Sequence, residues 1–282
     1  MLSTQRIIAF VWDFDKTLTH GYMQDPLFDE YGINSKDFWD EVNALPQKWE
    51  NLRLRVSKDT VYLSHILEYV RNGKFKALSN AKLRELGATI QLAPGAKEFM
   101  SQTQKFVADN SKYAENEIQV EHYVVSTGLR QMIEGSGVRD HVKDIWACEL
   151  LPDINDTGET DINKIDQLPH SSIGYTIDST TKTRAVFEIN KGVNVYPTID
   201  VNSRMDESER RVPFKNMIYI ADGPSDVPVF SVINKSGGKT FGVHIGGFTT
   251  PSYKNVKQLH TESRINSMGR PITKKALRPM TC

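Results

Sequence analysis

The sequence has little cysteine and no long hydrophobic run. Its two cysteines, Cys148 and Cys282, have neither the spacing of a metal site nor the density of a disulfide scaffold. We therefore expect two free thiols in a reducing compartment. No stretch approaches the roughly 20 apolar residues of a membrane span, and the N-terminal apolar run ends in acids rather than small residues. The expected location is the cytoplasm, with no membrane partner.

The sequence also lacks an excess of either charge, since 35 basic residues balance 35 acidic ones. A generally basic surface is therefore not indicated, and we expect no nucleic-acid partner. Hydrophobic residues make up 39% and charged residues 25%, which is typical of a globular protein with a real core. The 282 residues suit one large domain, or a core domain with a smaller one. Nothing in the composition fixes the oligomeric state.

Short apolar runs predict a buried sheet. Residues 7–12 form a continuous run, which is typical of a strand buried on both faces. Similar runs occur at residues 122–126, 217–221 and 240–244, and a weaker one at 144–148. Helical patterns separate them. Strands that alternate with helices predict an α/β fold with a doubly wound parallel sheet.

One long segment, residues 21–92, contains helical patterns and no clear buried strand. Capping residues and helix breakers predict three helices there, with N-caps at Ser35, Asp59 and Ser79 and ends at Pro46, Gly73 and Gly87. An insert of about 70 residues is longer than two adjoining strands need. We predict a catalytic core of residues 1–20 and 93–282, and a smaller all-helical domain of residues 21–92.

Two aspartates directly follow the first predicted strand. Asp13 and Asp15 lie beyond its carboxyl end, which is where open α/β sheets bind ligands. Residues two apart in an extended chain point the same way, so both carboxylates can approach one point. Because nearby carboxylates repel each other, we expect a bound cation or a shared proton. Taken alone, such a pair is more typical of a helix N-cap and a turn acid.

Later strands carry comparable polar residues. Asp222 follows the run at 217–221, and Asp226 lies four residues on, where it also suits a helix N-cap. Ser126 ends another strand, and small hydroxyl residues at a helix N-terminus hold phosphate groups well. Lys182 begins a predicted helix, a position where a lone lysine is usually solvent-exposed. Each signal is weak when taken alone.

The order of these signals resembles the four motifs of haloacid dehalogenase (HAD) phosphatases. D-x-D-x-T begins at Asp13, a serine follows a later strand at Ser126, a lysine comes next at Lys182, and D-G-x-S-D begins at Asp222. The helical insert falls where that superfamily places its C1 cap. The segment IWACEL at residues 145–150 is similar to the phosphoserine-phosphatase-like branch.

The resemblance implies a magnesium-dependent phosphomonoesterase. It implies that Asp13 is a nucleophile that forms an aspartyl phosphate, and that Asp15 is the general acid and base. It also implies that Mg²⁺ is held by carboxylates of Asp13 and Asp222 and by the backbone carbonyl of Asp15, with Asp226 behind them. The phosphoryl group of a small-molecule substrate would be bound by Ser126, Thr127, Gly128 and Lys182.

Two other functions stay open. A phosphotransferase or phosphomutase shares this chemistry. A phosphoaspartate regulatory switch also uses acids, a hydroxyl residue and a lysine on an α/β sheet, but the large insert and the second acid, Asp15, argue against it. A catalytically silent binding module is disfavoured because the motif set is complete.

The sequence departs from the family pattern between Lys182 and Asp222, where the spacing is long. This segment contains the charged stretch NSRMDESERR at residues 202–211, which we predict to be an exposed insertion. Lys191 is a weaker candidate for the role of Lys182.

Position 22 argues against L-phosphoserine as the substrate. Phosphoserine phosphatases place a glutamate nine positions after the nucleophile, where it meets the substrate ammonium, and here that residue is Tyr22. Asp25 would supply the charge if this flap carries a small insertion. The expected substrate is another small phosphorylated alcohol, such as a sugar or lipid head-group phosphate. Further candidates for substrate contact are Lys16, His20, Arg53, Arg55 and Lys58.

Overall fold

The computed structural model describes residues 5–154 and 161–271. Within these ranges seven strands form one sheet: β1 (Ile7–Trp12), β2 (Gln119–Leu129), β3 (Asp144–Pro152), β4 (His170–Tyr175), β5 (Met217–Ala221), β6 (Lys239–Val243) and β7 (Ser267–Gly269). Their spatial order is β4-β3-β2-β1-β5-β6-β7. All neighbouring pairs are parallel except β3 and β4. The predicted α/β fold class is confirmed.

The helices fall into two groups. The first group follows β1 and comprises α1 (Asp25–Tyr31), α2 (Ser35–Asn51), α3 (Val61–Arg71) and α4 (Asn80–Gly87). The second alternates with the later strands and comprises α5 (Ala96–Ala108), α6 (Ser111–Glu115), α7 (Arg130–Gly135), α8 (Ile162–Ile165), α9 (Thr181–Lys191), α10 (Val227–Lys235) and α11 (Pro251–Thr261). Among these helices, none combines the length and apolar content that crossing a bilayer requires.

β1 lies at the centre of the sheet because its side chains are buried or half-buried on both faces. It pairs with β2 on one side and β5 on the other. The first residue after β1 extends the sheet further, since the backbone N–H of Asp13 donates to the carbonyl oxygen of Ile220 at 2.9 Å. The carboxyl ends of β1, β2 and β5 therefore meet at one edge, which carries the predicted site.

The sequence prediction missed the two outer strands. β4 has an almost wholly exposed sequence, HSSIGY, and runs antiparallel at one edge, so no buried run marks it. β7 is three residues long and covers the other edge. Cys148, in β3, is a buried free thiol as predicted. Cys282 lies outside the described residues.

The helical insert contains helices as predicted, but some of their ends differ. Pro46 does not end α2, which continues to Asn51 because Trp49, one turn beyond Leu45, extends the face that packs against the core. Asn34 rather than Ser35 caps this helix, through its side-chain oxygen. Ser79 caps α4 as predicted, by accepting from the N–H of Lys82.

α4 packs closely on α7 of the core. A Cβ atom on Gly87 would lie 2.1 Å from the carbonyl oxygen of Met132, and one on Gly135 would lie 2.0 Å from that of Arg84. Both positions therefore need glycine for the two helices to approach. The predicted division into residues 21–92 and the rest stays a prediction.

The predicted insertion at residues 202–211 is exposed over most of its length but not at its end. Arg211 is buried, and its guanidinium pairs with Glu121 and donates to the hydroxyl of Tyr123 at 2.8 Å. The ammonium of Lys191 binds carbonyl oxygens of this insertion instead of the site. The side chain that reaches the site is that of Lys182.

Candidate active site

Asp13 lies buried at the carboxyl end of β1. Its Oδ1 accepts a hydrogen bond from Nζ of Lys182 at 2.8 Å. Its Oδ2 lies 3.4 Å from the hydroxyl of Thr17, the last residue of the D-x-D-x-T motif. The carboxylate is thus oriented by a cation on one side and a hydroxyl on the other.

Lys182 is almost fully buried at the start of α9, contrary to the usual exposure of a lone lysine. Its ammonium also donates to Oδ1 of Asp226 at 2.7 Å, so it bridges two carboxylates. Burial alone would lower the pKa of Lys182, but the charges of Asp13 and Asp226 raise it above its usual value. Lys182 is therefore a permanent cation in the site.

Asp226 occupies the N-cap position of α10, but its side chain makes no capping hydrogen bond. It is fully buried, and its carboxylate accepts from Lys182, from the hydroxyl of Tyr219 at 2.6 Å and from that of Ser225 at 2.8 Å. Tyr219 lies in β5 and is fully buried. The predicted N-cap position of Asp226 is thus correct, but its carboxylate binds these side chains instead of the helix N-terminus.

Three carboxylates converge at this edge of the sheet. Asp13, Asp222 and Asp226 each offer an oxygen, and these atoms lie within 4.8 Å of one another. Burial, followed by the charges of Asp13 and Asp226, raises the pKa of Asp222 to about 7. Burial also raises the pKa of Asp13 to about 6, although Lys182 opposes the shift. A divalent cation would offset this concentration of negative charge, so the residues present fit a metal.

Asp15 is held apart from this carboxylate cluster by the following turn. Its Oδ1 accepts from the backbone N–H of Met23 at 2.9 Å. Burial, then the nearby charge of Asp13, raises the pKa of Asp15 to about 8. Its carboxyl group is therefore largely protonated near pH 7, whereas Asp13 is largely ionised.

The predicted phosphate-binding residues form a loop inside the long strand β2. The hydroxyl of Ser126 accepts from the N–H of Gly128 at 3.0 Å, which fixes a tight turn. A Cβ atom on Gly128 would lie 2.2 Å from Cε of Met23, so a larger residue there would displace the Met23 side chain. The sulfur of Met23 in turn accepts from the N–H of Leu129 at 3.1 Å. Met23 thus connects the phosphate loop with Asp15.

Tyr22 lies at the mouth of the site, where 46% of it is exposed. The ammonium of Lys16 lies 3.9 Å from the centre of the Tyr22 ring. Trp39 of α2 packs near the same ring at 6.3 Å. Asp25 binds the N–H of Tyr22 and so orders the flap locally. Of the other predicted contact residues, His20, Arg53, Arg55 and Lys58 are exposed.

Sequence reasoning missed three residues of the site: Tyr219, Met23 and Tyr62. The hydroxyl of Tyr62, in α3, donates to the carbonyl oxygen of Thr127 at 2.7 Å. All three are buried, and in the sequence each reads as an ordinary core residue. Only the position of Tyr219 inside β5, the strand that directly precedes Asp222, offered a signal.

The chain is similar in sequence to a known bacterial protein. No family model matches the chain. A protein of Borreliella burgdorferi described as uncharacterized is 40% identical over 276 residues, covering 94% of this chain and 91% of that protein.

Solved structures match in fold. A HAD family hydrolase from Salmonella enterica serovar Typhi gives a TM-score of 0.54 at 12% identity, covering 94% of this chain and 67% of its own. The structure of a phospho-aspartyl intermediate analogue of phosphoserine phosphatase gives a TM-score of 0.53 at 13% identity, covering 97% of this chain and 98% of its own. At these identities the likeness establishes the fold, and it confirms the fold that the motif order predicted.

Proposed function

Since this chain belongs to the same family as the Borreliella burgdorferi protein and has the HAD fold found in phosphoserine phosphatases, we propose that it is a phosphohydrolase. Its substrate in this proposal is a small phosphomonoester. The observation that carries the proposal is the arrangement of two aspartates two residues apart: Asp13 is bound to the ammonium of Lys182, and Asp15 is bound to the N–H of Met23. The raised pKa of Asp15, about 8, agrees with a role as proton donor. Hydrolysis through a covalent intermediate needs both groups.

Asp13 is the nucleophile in this proposal. Its carboxylate oxygen attacks phosphorus, the bond to the substrate oxygen breaks, and an aspartyl phosphate forms. Lys182 holds the carboxylate in place and offsets the charge that the phosphoryl group adds. One solved structure of the same fold is a phospho-aspartyl intermediate analogue of a phosphoserine phosphatase, which supports an aspartyl phosphate on Asp13 here.

Asp15 is the proton donor. At a pKa of about 8 its carboxyl group carries a proton near neutral pH, which it gives to the departing alkoxide. Asp15 is then an ionised base that removes a proton from water, and that water hydrolyses the aspartyl phosphate. The N–H of Met23 keeps the carboxyl group in position for both steps.

Magnesium is the proposed cofactor. Asp13 and Asp222 would hold it through carboxylate oxygens and Asp15 through its backbone carbonyl, with Asp226 orienting Lys182 behind them. The bound ion would supply charge neutralisation for the attack of one anion on another. Ser126, Thr127 and Gly128 would bind the remaining phosphoryl oxygens with hydroxyl and N–H donors.

The helical insert covers the site in this proposal and selects the substrate. Exclusion of bulk water would also suit a phosphotransferase or phosphomutase, which needs the same Asp13 and Asp15. A phosphoaspartate switch is less well supported, because a protonated Asp15 promotes turnover rather than a long-lived phosphoaspartate.

Phosphate release from a panel of phosphorylated metabolites, measured with purified protein and Mg²⁺, tests the proposal. We expect catalytic release from at least one small phosphorylated alcohol. Transfer to an added alcohol without release of phosphate would instead indicate the transferase. One phosphate bound per protein molecule, without turnover, would indicate the switch.

A further inference from the structure

The start of α3 makes side-chain hydrogen bonds to two loops of the core. Oδ2 of Asp59 accepts from the N–H of Ser179 at 3.2 Å and from its hydroxyl at 2.7 Å. One helical turn later, Tyr62 donates its hydroxyl to the carbonyl oxygen of Thr127 at 2.7 Å. Asp59 was predicted to cap this helix, but it bonds to the core instead, and the N-cap residue Thr60 makes no side-chain cap.

We propose that Asp59 and Tyr62 form a latch that couples the position of the helical insert to the geometry of the two loops that bind phosphate. Both are positioning residues, since they act through Ser179 and Thr127. The consequence of the latch for catalysis rests on the proposed function, whereas its mechanical action does not.

Tyr62 controls the orientation of a single peptide group. The carbonyl of Thr127 and the N–H of Gly128 belong to the same planar unit, so fixing the oxygen also fixes the direction of the N–H. The same oxygen accepts from the thiol of Cys148 at 3.3 Å, and the Gly128 N–H binds the hydroxyl of Ser126. Loss of the Tyr62 hydroxyl removes one of two donors that hold this peptide group.

Asp59 controls the turn that leads to Lys182. In that turn the side chain of Asp178 accepts from the N–H of Thr181 at 2.7 Å, and its carbonyl accepts from the N–H of Lys182 at 3.0 Å. Ser179 is the residue of this turn that faces the insert. A carboxylate bound to both its N–H and its hydroxyl restrains the turn from outside.

Two of the attachments of the insert to the core differ in how they can open. α4 meets α7 backbone to backbone at Gly87 and Gly135, a contact that water cannot replace without separating the helices. Asp59 is exposed, so water can replace its hydrogen bonds to Ser179. The hydrogen bonds at the start of α3 can therefore open while α4 stays attached.

Hydrogen exchange measured by mass spectrometry tests the latch without reference to activity. Tyr62→Phe removes one hydroxyl, and we expect exchange in residues 126–130 to rise about two- to tenfold, the effect of one lost hydrogen bond. Asp59→Ala is expected to do the same in residues 177–183. Tyr69→Phe is the matched control, because Tyr69 is a buried tyrosine of the same helix whose hydroxyl binds Glu41 within the insert.

The latch is refuted if Tyr62→Phe leaves exchange in residues 126–130 unchanged, or if Tyr69→Phe raises it equally. Kinetics with p-nitrophenyl phosphate and Mg²⁺ then test its effect on the reaction. We expect kcat/KM to fall about two- to tenfold in Tyr62→Phe and Asp59→Ala, and to stay unchanged in Tyr69→Phe.

A double-variant comparison isolates the bond to Ser179. If Asp59 acts through Ser179, adding Ser179→Ala to Asp59→Ala produces no further loss, whereas independent additive losses contradict the latch. A wild-type protein that hydrolyses no ester would contradict the proposed function, while the exchange experiment would still decide on the latch.

Discussion

Asp13, the proposed nucleophile, and Asp15, the proposed acid, lie two residues apart, yet their surroundings differ. Asp13 is buried at the end of a central strand and is held by Lys182, whose own position depends on Asp226. Asp15 is half-buried and depends on the N–H of Met23, in a flap under the helical insert. The nucleophile is thus built into the sheet, and the acid is completed by a segment outside it.

In the proposed mechanism, this difference divides the residues that react from those that select the substrate. Groups fixed by the sheet would perform the step that all phosphomonoesters share. Groups fixed by the flap and insert would meet the part of the substrate that varies. If so, changes on the Asp13 side should affect every substrate equally, and changes on the flap side should affect substrates unequally.

The largest expected effect is that of Asp13→Asn. An amide is not a nucleophile, so turnover should fall to background for every substrate, while the fold remains because the amide oxygen still accepts from Lys182. Phosphate release and a melting curve check this, with Asp29→Asn, an exposed aspartate of α1, as control. Near-normal activity of folded Asp13→Asn protein would falsify the mechanism.

Removal of magnesium should abolish activity as completely as Asp13→Asn does. The effect of the ion on stability should also depend on pH. The pKa values of Asp13 and Asp222, about 6 and about 7, lie above those of unfolded aspartate. The contribution of these two groups to the stability of the metal-free protein is therefore fully present below the unfolded pKa of about 4 and is lost as pH rises through these folded values.

Bound Mg²⁺ should reverse that loss, because it displaces the protons and pairs with the carboxylates. Melting curves with and without Mg²⁺ should therefore show a larger stabilisation at about pH 8 than at about pH 5. Ca²⁺ should restore little activity, since it tolerates looser coordination. Full activity in excess chelator contradicts this prediction.

Asp15→Asn is expected to lower kcat about 10²- to 10⁴-fold, the usual contribution of general acid–base catalysis. The loss should be smaller for p-nitrophenyl phosphate than for an alkyl phosphate, because the p-nitrophenolate leaving group needs no proton. Equal losses for both esters would argue against Asp15 as the proton donor.

L-phosphoserine should be a poor substrate. Its kcat/KM should be about ten- to a hundredfold lower than that of a preferred phosphorylated alcohol. Tyr22 offers no charge to the substrate ammonium, and the neighbouring ammonium of Lys16 repels it. Tyr22→Glu should raise kcat/KM for L-phosphoserine, and Tyr22→Gln should not. The interpretation of the flap is wrong if wild-type protein prefers L-phosphoserine.

The smallest expected effect is that of Tyr219→Phe. It removes a buried hydrogen-bond donor to Asp226, which orients Lys182. Because one such hydrogen bond contributes about 1 kcal/mol, activity should fall about fivefold for all substrates alike. Tyr123→Phe is the control, since its hydroxyl binds Arg211 away from the site. A substrate-dependent effect of Tyr219→Phe would contradict the proposed division between residues fixed by the sheet and residues fixed by the flap and insert.

The nucleophile side was predictable because its residues follow buried strands. β1 and β5 match their predicted bounds, and the residues directly after them are Asp13 and Asp222. Lys182 was a weak signal by itself, because an exposed lysine is the common case. It was identified through the family motif order, and its burial is visible only in three dimensions.

The flap side was not predictable from local patterns. Met23 and Tyr62 look like core residues, and their polar contacts depend on how the insert folds back over β2. Asp59 carries a strong local capping signal, but a tertiary contact with Ser179 overrides it. The edge strand β4 was missed because its side chains are exposed.

The central place of β1 has a consequence for synthesis on the ribosome. β1 pairs with β2 and β5, and β5 begins at Met217, about 200 residues later in the chain. At about 5–20 residues per second, an emerging chain holds the apolar β1 without its second neighbour for about 10 to 40 s. Asp13 reaches its final setting only when β5 emerges, so for this interval one edge of the first strand of the nascent chain lacks its native partner.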